Sequence, residues 1–214
     1  MTQYSTQVSK EHYRGSSYRG KDRWISYWRQ LSLVRSFKPV SVLEIGVGDK
    51  TVTEAMRKDG VVVTMCDVAP DVEPDVVASV TALPFEDQSF DVVLAAEILE
   101  HIRYEDVAVA VGHIFRVCRK GAVISVPHAG WTFALEWKLP LLPRMSVCVK
   151  LPHFFKTHHF NGEHYWELGK RGYSRRRLRQ IITNAGFVIA ESRIHADDPA
   201  HVFFRLIKPN GSAV

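Results

Sequence analysis

Hydrophobic residues along the chain follow two alternating patterns. Short apolar runs bounded by turn residues alternate with longer segments in which apolar residues recur every three or four positions. The short runs are typical of buried strands, and the longer spacing is typical of amphipathic helices. Because strands separated by helices pair in parallel through right-handed crossovers, the pattern predicts an α/β fold, built as a three-layer sandwich.

The short runs predict the central sheet, and the periodic segments predict the helices around it. The predicted strands cover residues 42–48, 61–67, 75–79, 89–96, 122–126, 187–194 and 201–208. The predicted helices cover residues 24–34, 51–58, 106–119 and 174–185. Ser174 is the expected cap of the last helix and Gly186 its expected end.

Length and composition favour a single domain over residues 1–214. The chain is 46% hydrophobic and 24% charged, which is ordinary for a globular domain with a sizeable core. No apolar run approaches the ~20 residues of a membrane span, and the polar start has no signal-peptide core, so we expect a cytoplasmic protein. The three cysteines, Cys66, Cys118 and Cys148, are widely spaced and indicate no disulfide framework.

Two segments stand apart from the predicted sheet. Residues 1–38 are expected to form a polar arm, up to about Gly20, followed by the first helix. Residues 128–173 are too long for an ordinary loop and rich in aromatic residues, so we expect a substrate lid with its own short helices. The candidate substrate contacts in this lid are Trp131, Tyr165 and Trp166. Core packing is the alternative for each aromatic residue.

The segment 42–48 indicates a nucleotide site. Its apolar strand leads into Gly46 and Gly48, which let the backbone pass close to a ligand where a Cβ would collide. The helix that follows would point free N–H groups and its positive dipole end at that ligand. The second strand ends in Asp67, where a parallel sheet places a carboxylate to accept hydrogen bonds from two ribose hydroxyls.

With two further segments, these features resemble class I S-adenosylmethionine-dependent methyltransferases over the stretch 42–126. A Leu-Pro-Phe segment lies at 83–85 and a Glu-x-x-x-His segment at 97–101, as in the methyltransferase type 11-like subgroup. The resemblance implies methyltransferase activity and S-adenosylmethionine as cofactor, bound over the carboxyl ends of the first strands. It also implies a Rossmann-like, seven-stranded, mostly parallel sheet whose last strand is antiparallel.

The resemblance further implies the cofactor contacts. Carried over by position, they are Glu44, Gly46, Gly48, Asp67, Val80, Thr81, Leu83, Glu97 and Ile98. Lys50 departs from the family, because a third glycine is frequent at its position. Ser79 or Val80 stands where an acid often receives the adenine amino group, and a hydroxyl or backbone carbonyl can accept in its place.

Two histidines are candidate catalytic residues. A sulfonium already activates its methyl group, so transfer needs an aligned acceptor, dry surroundings and, for a protonated acceptor, a base. His101 and His128 follow the fourth and fifth strands at the carboxyl edge, where ligands of α/β sheets bind. We prefer His128 as the acceptor contact, and a structural role is the alternative for both.

The lid also contains four histidines: His153, His158, His159 and His164. No cysteine accompanies them, and the adjacent pair cannot easily share one tetrahedron, so no metal is expected. The net charge of +5 includes a cluster of cations: Lys170, Arg171, Arg175, Arg176, Arg177 and Arg179. Such a cluster suits a phosphorylated substrate, nucleic acid or anionic lipid, or is a solvated face.

The expected function is methyl transfer to an oxygen or nitrogen of a small or carrier-linked acceptor. An RNA or other nucleic-acid methyltransferase is the alternative, although residues 96–99 lack the Asn-Pro-Pro-Tyr-like tetrapeptide of some base-modifying members. A non-catalytic adenosylmethionine-binding module is the alternative of another class. The apolar stretch 139–151 is expected to form a buried lid wall, with peripheral membrane contact as its alternative.

Overall fold

The fold is that of a computed structural model, which describes residues 7, 11, 13, 15, 20–141 and 145–209. The strands are β1 Ser41–Ile45, β2 Val62–Asp67, β3 Val76–Val77, β4 Phe90–Ala96, β5 Cys118–Pro127, β6 Gly130–Trp137, β7 Met145–Pro152, β8 Val188–Arg193 and β9 His201–Ile207. The helices are α1 Lys21–Arg35, α2 Thr51–Lys58, α3 Val107–Val117 and α4 Arg175–Asn184. Most of the predicted N-terminal arm lies outside the described residues.

Seven strands form one sheet in the order β3-β2-β1-β4-β5-β9-β8. Strands β1 to β5 pair in parallel, whereas β9 runs antiparallel to both of its neighbours. The predicted seven-stranded, mostly parallel sheet with an antiparallel last strand is therefore confirmed. The order reverses between β1 and β4, which is where open α/β sheets form a crevice at the carboxyl edge.

Helices cover both faces of the sheet. On one face, α1 and α2 pack against side chains such as Val42 and Val92, and on the other, α3 and α4 pack against Leu43 and Val93. This alternation follows from the two-residue period of a strand, which sends neighbouring side chains to opposite faces. The central strands are buried on both faces and therefore read as continuous apolar runs in the sequence. The three-layer sandwich is confirmed.

The last helix has the predicted boundaries. The Ser174 hydroxyl accepts a hydrogen bond from the Arg177 backbone N–H at 3.2 Å, which caps the first turn of α4. Leu178 and Ile182 are fully buried on its inner face. Gly186 follows with a φ of +105°, the left-handed conformation that ends many helices. Within the described residues, no helix has the length and apolar character needed to cross a membrane.

The first half of the predicted lid is a β-hairpin and not a set of short helices, so that prediction is wrong. Strands β6 and β7 pair antiparallel, with Trp131 opposite Leu151 and Phe133 opposite Val149. These apolar pairs share one face of the hairpin, and Trp131 and Phe133 remain 61% and 65% exposed. The expected buried wall at 139–151 is wrong for the same reason, since the described apolar residues of that stretch are mostly exposed.

Candidate active site

A cavity of about 360 Å³ opens at the carboxyl ends of β1, β2, β4 and β5. Its lining comes from the turn after β1, the end of β2, the segments after β3 and β4, and the start of β9. It therefore lies at the edge of the sheet where the sequence predicts the nucleotide site, in the size range of small-molecule pockets.

The turn after β1 has a backbone that glycine favours. Gly46 has a φ of +76°, and its N–H donates to the Cys66 carbonyl at 2.9 Å. A Cβ on Gly46 would lie 1.8 Å from Ile98 Cδ1, so only glycine leaves Ile98 in its observed position. Lys50 also has a left-handed φ, +63°, and its side chain donates to the Glu73 carbonyl at 3.1 Å. Lys50 thus keeps the conformation that a glycine would adopt there.

Asp67 connects the end of β2 to this turn. One carboxylate oxygen accepts from the Val47 N–H at 3.0 Å and the other from the Ala69 N–H at 2.9 Å. Burial raises the pKa of Asp67 above its usual value, against the opposing effect of these N–H donors. Asp67 therefore braces the glycine turn and presents a half-buried carboxylate to the cavity.

Glu44 is buried beneath the turn. It accepts a hydrogen bond from the Thr53 hydroxyl of α2. Burial raises the pKa of Glu44 to about 8, against the lowering effect of that hydrogen bond. Burial thus favours the uncharged acid form of Glu44, and a cation placed in the cavity would favour its ionisation.

A histidine that the sequence analysis missed lies on the other side of the cavity. His201, the first residue of β9, places Nε2 3.2 Å from Glu97 Oε2 and Nδ1 2.7 Å from Asp198 Oδ1. Burial lowers the pKa of His201, but the two carboxylates outweigh it and the net shift is upward. The Ser125 hydroxyl donates to the other oxygen of Glu97 at 2.6 Å. Register between β5 and β9 brings these residues together, and no short sequence motif marks it.

Most of the predicted cofactor contacts line the cavity. Those that do are Glu44, Gly46, Gly48, Asp67, Val80, Glu97 and Ile98. Thr81 and Leu83 are not among the lining residues. Thr81 instead shares a 2.8 Å hydroxyl contact with Ser79, which does line the cavity, and Leu83 belongs to the hydrophobic core. Ser79, one of the two residues expected to replace an adenine-binding acid, therefore lies at the cavity.

The two candidate catalytic histidines have different positions. His101 lines the cavity, and its Nδ1 lies 2.8 Å from Gln7 Oε1 and 3.1 Å from the Glu163 carbonyl. Burial and the neighbouring His164 lower its pKa, so His101 is neutral near pH 7. His128 is buried outside the cavity lining, and burial together with Lys150 and Arg175 lowers its pKa to about 4. The preference for His128 as the acceptor contact is therefore not supported by its position.

The predicted substrate aromatics are likewise not among the lining residues. Trp166 is fully buried in the core, and its indole N–H donates to the carbonyls of Leu99 and Ile102 at 3.0 and 3.1 Å. Trp166 is therefore not a substrate contact, and the alternative of core packing is correct for it. Tyr165 stacks on Phe160 at a ring distance of 4.5 Å. Trp131 lies on the exposed hairpin.

The basic cluster is partly neutralised within the fold. Arg175 donates to Ser192, and Arg177 donates to the Gly172 carbonyl at 2.6 Å. Lys170 lies 2.9 Å from the Glu167 carboxylate and donates to His158 at 3.0 Å. Arg171, Arg176 and Arg179 are exposed. About half of the cations therefore have an internal structural role.

Comparisons with known proteins agree with this geometry. Residues 43–126 match the family described as "Methyltransferase domain". No curated protein matches the chain in sequence. The fold is similar to 1,6-didemethyltoxoflavin-N1-methyltransferase from Burkholderia thailandensis, solved with 1,6-didemethyltoxoflavin and S-adenosylhomocysteine. That match has 16% identity and a TM-score of 0.60, and it covers 94% of this chain and 87% of the other.

Two further solved structures show the same fold. The N-methyltransferase NodS from Bradyrhizobium japonicum WM9, in complex with S-adenosylhomocysteine, has 13% identity and a TM-score of 0.58 over 89% of both chains. Magnesium protoporphyrin IX methyltransferase from Synechocystis PCC 6803, with bound S-adenosylmethionine, has 12% identity and a TM-score of 0.58 over 87% of this chain and 80% of the other.

The sheet order, the glycine turn and the cavity define a Rossmann-like enzyme of the class that binds a nucleoside at the carboxyl edge. Within that class, the family match over 43–126 and the shared fold give the narrower assignment. Residues 43–126 match a methyltransferase domain, and the chain has the fold of S-adenosylmethionine-dependent methyltransferases.

Proposed function

We propose that the protein transfers a methyl group to an oxygen or nitrogen of a small or carrier-linked acceptor. The observation that carries the proposal is one continuous cavity that joins the cofactor-type turn to a second cluster of polar side chains. The cofactor supplies an electrophilic methyl group bound to a sulfonium. The protein's own residues then have to bind, orient and keep water from the reacting groups.

The charge of the lining supports a sulfonium cofactor over a dinucleotide. Six carboxyl side chains line the cavity: Glu44, Asp49, Asp67, Glu97, Glu100 and Glu163. Among the described lining residues, Arg23 is the only lysine or arginine. A positively charged sulfonium is favoured beside carboxylates, whereas the two charges of a pyrophosphate would be repelled. In this arrangement Asp67 would hold the ribose, and Gly46 and Gly48 would pass close to the cofactor.

The acceptor end of the cavity would be the part beyond Glu97. His101, Glu163 and His164 line the cavity there. His101 is neutral and hydrogen-bonded through Nδ1, so Nε2 is the ring nitrogen through which it would contact an acceptor. We therefore assign the acceptor contact to His101 in place of His128.

Small acceptors are favoured over nucleic acid because the basic cluster is partly paired inside the fold and does not line the cavity. The toxoflavin and protoporphyrin methyltransferases that share the fold are named for small acceptors. This is support by analogy, since fold does not fix substrate.

The test is calorimetry followed by turnover. S-adenosylmethionine and S-adenosylhomocysteine should bind and NAD should not. Release of S-adenosylhomocysteine should then be measured with panels of small hydroxylated and amino acceptors, and with RNA. Cofactor binding with no turnover on any panel would favour a non-catalytic binding module, and turnover on RNA alone would favour the nucleic-acid alternative.

A further inference from the structure

We infer that Glu100, His101 and His164 form a binding site for a divalent transition-metal ion such as Zn²⁺ at the acceptor end of the cavity. One potential ligand atom from each of these three side chains lies within 4.8 Å of the others. Two imidazoles and one carboxylate are a donor set that zinc and related ions prefer, and a three-residue set leaves coordination positions open.

The carboxylate of Glu100 gives independent support. Glu100 is fully buried, and neither of its oxygens has a hydrogen-bond partner among the described residues. A buried carboxyl group without partners is costly, and bound cations are a common way in which proteins offset that cost. Two further carboxylates, Glu97 and Glu167, and one cation, Arg23, contribute to its electrostatic surroundings.

Both imidazoles are held in the tautomer that a metal needs. His101 Nδ1 faces two oxygen acceptors, Gln7 Oε1 at 2.8 Å and the Glu163 carbonyl at 3.1 Å, so Nδ1 carries the proton. His164 Nδ1 faces the Glu167 carboxylate at 3.4 Å. In its neutral form each ring then has its lone pair on Nε2. A hydrogen bond from the second nitrogen to a carbonyl or carboxylate is the usual support of a metal-binding histidine.

The backbone brings the third ligand to the other two. Glu100 and His101 lie in the turn after β4, whereas His164 lies more than sixty residues further along the chain. The Tyr165 N–H donates to the Glu100 carbonyl at 2.8 Å. The buried indole of Trp166, the next residue, donates to the Leu99 carbonyl of the same turn. His101 and His164 consequently meet edge to face with ring centroids 5.1 Å apart. The site is thus built on a fixed contact between two segments.

The chemical consequence rests on the proposed function. All three residues line the methyltransferase cavity, so a bound ion would be reached from the acceptor end. A divalent ion there would bind an acceptor hydroxyl and make it more acidic, and His101 would then contact the acceptor through the ion. Metal binding itself needs neither the cofactor nor an acceptor.

The experiment measures metal binding directly. Protein purified without a histidine tag is stripped with a chelator, and Zn²⁺ is titrated by calorimetry in the absence of cofactor. Co²⁺ titrated in parallel reports coordination through its visible absorption. We expect one equivalent of metal for the wild type, and at least about tenfold weaker binding for Glu100→Gln and for His164→Ala.

His159→Ala is the matched control, because His159 is an exposed histidine of the same segment that does not belong to the cluster. It should bind metal like the wild type. Glu100→Gln keeps the size of a buried side chain, and His164→Ala alters a half-buried one, so the inference does not depend on one variant folding.

Each other outcome overturns the inference. These outcomes are no stoichiometric metal in the wild type, unchanged binding in both cluster variants, or equal loss in His159→Ala. Cofactor binding by the chelated protein is measured alongside. Cofactor binding without metal binding would contradict this site alone, and metal binding without cofactor binding would contradict the proposed function alone.

Discussion

Replacement of Gly46 by alanine should damage the cofactor cavity through one specific collision. The new Cβ would lie 1.8 Å from Ile98 Cδ1 and 2.7 Å from Ile98 Cγ1. Carbon atoms in contact sit about 3.5–4 Å apart, so the Ile98 side chain must move by roughly 2 Å. Ile98 lines the cavity, and overpacking of this kind costs about 1–3 kcal/mol.

The left-handed backbone adds a second cost, which a matched variant can separate. Gly46 has a φ of +76° and Gly60 a φ of +81°, but a Cβ on Gly60 would meet nothing within 4 Å. Alanine at either position therefore carries about 1–2 kcal/mol of backbone strain, and only Gly46→Ala carries the collision. The free energy of unfolding should be lower for Gly46→Ala than for Gly60→Ala by about 1–3 kcal/mol.

The assays are urea unfolding and calorimetric titration with S-adenosylhomocysteine. Gly60→Ala should bind the cofactor product like the wild type, and Gly46→Ala should bind at least about tenfold more weakly, equivalent to 1.4 kcal/mol. The double variant Gly46→Ala with Ile98→Ala should recover part of the lost stability, because the collision partner is removed. Equal affinity and stability for the two single variants would refute the reasoning.

Three further predictions follow from the site. Asp67→Asn should weaken cofactor binding by about 1.5–3 kcal/mol in calorimetry, because a charge-assisted pair of ribose hydrogen bonds is lost; unchanged affinity would move the ribose contact elsewhere. The pKa of His201 is raised in the fold, so protonated His201 stabilises the folded state. This contribution is complete below the unfolded pKa of about 6.5 and is lost as the pH rises through the folded value. The free energy of unfolding of His201→Gln, measured in urea, should therefore fall furthest below that of the wild type at acidic pH. A difference that grows toward alkaline pH would contradict the upward pKa shift of His201. Neutralising Arg171, Arg176 and Arg179 together should leave the rate with a small uncharged acceptor unchanged, whereas lost activity with weaker salt dependence would indicate a polyanionic acceptor.

The cofactor half of the site could be predicted because its signals are local. The glycine turn, Asp67 and the segment at 97–101 each follow directly from a strand of the parallel sheet. Strand ends of one parallel sheet meet at one edge, so residues far apart in sequence are brought together by topology alone. The resemblance to the methyltransferases then supplied the roles, and the sheet order confirmed the architecture.

The hairpin was missed although its signal is present. Apolar residues occupy positions 131, 133, 135 and 137 with polar or small residues between them, which is the two-residue period of a strand. The length of the segment and its many aromatic residues favoured a lid with short helices instead. Its apolar face is also exposed in the described chain, whereas sequence interpretation assumes that the apolar face of a strand is buried.

The acceptor half depends on contacts that no short pattern records. His201 enters the cavity through the antiparallel register of β5 and β9, in which Pro127 lies opposite His201. His164 enters through the anchor that Trp166 makes on the turn after β4. Trp166 was chosen as a substrate contact for its aromatic ring, but its indole N–H has two backbone acceptors and its ring is core. A shift of this anchor would therefore move His164 and reshape the part of the cavity that we propose for the acceptor.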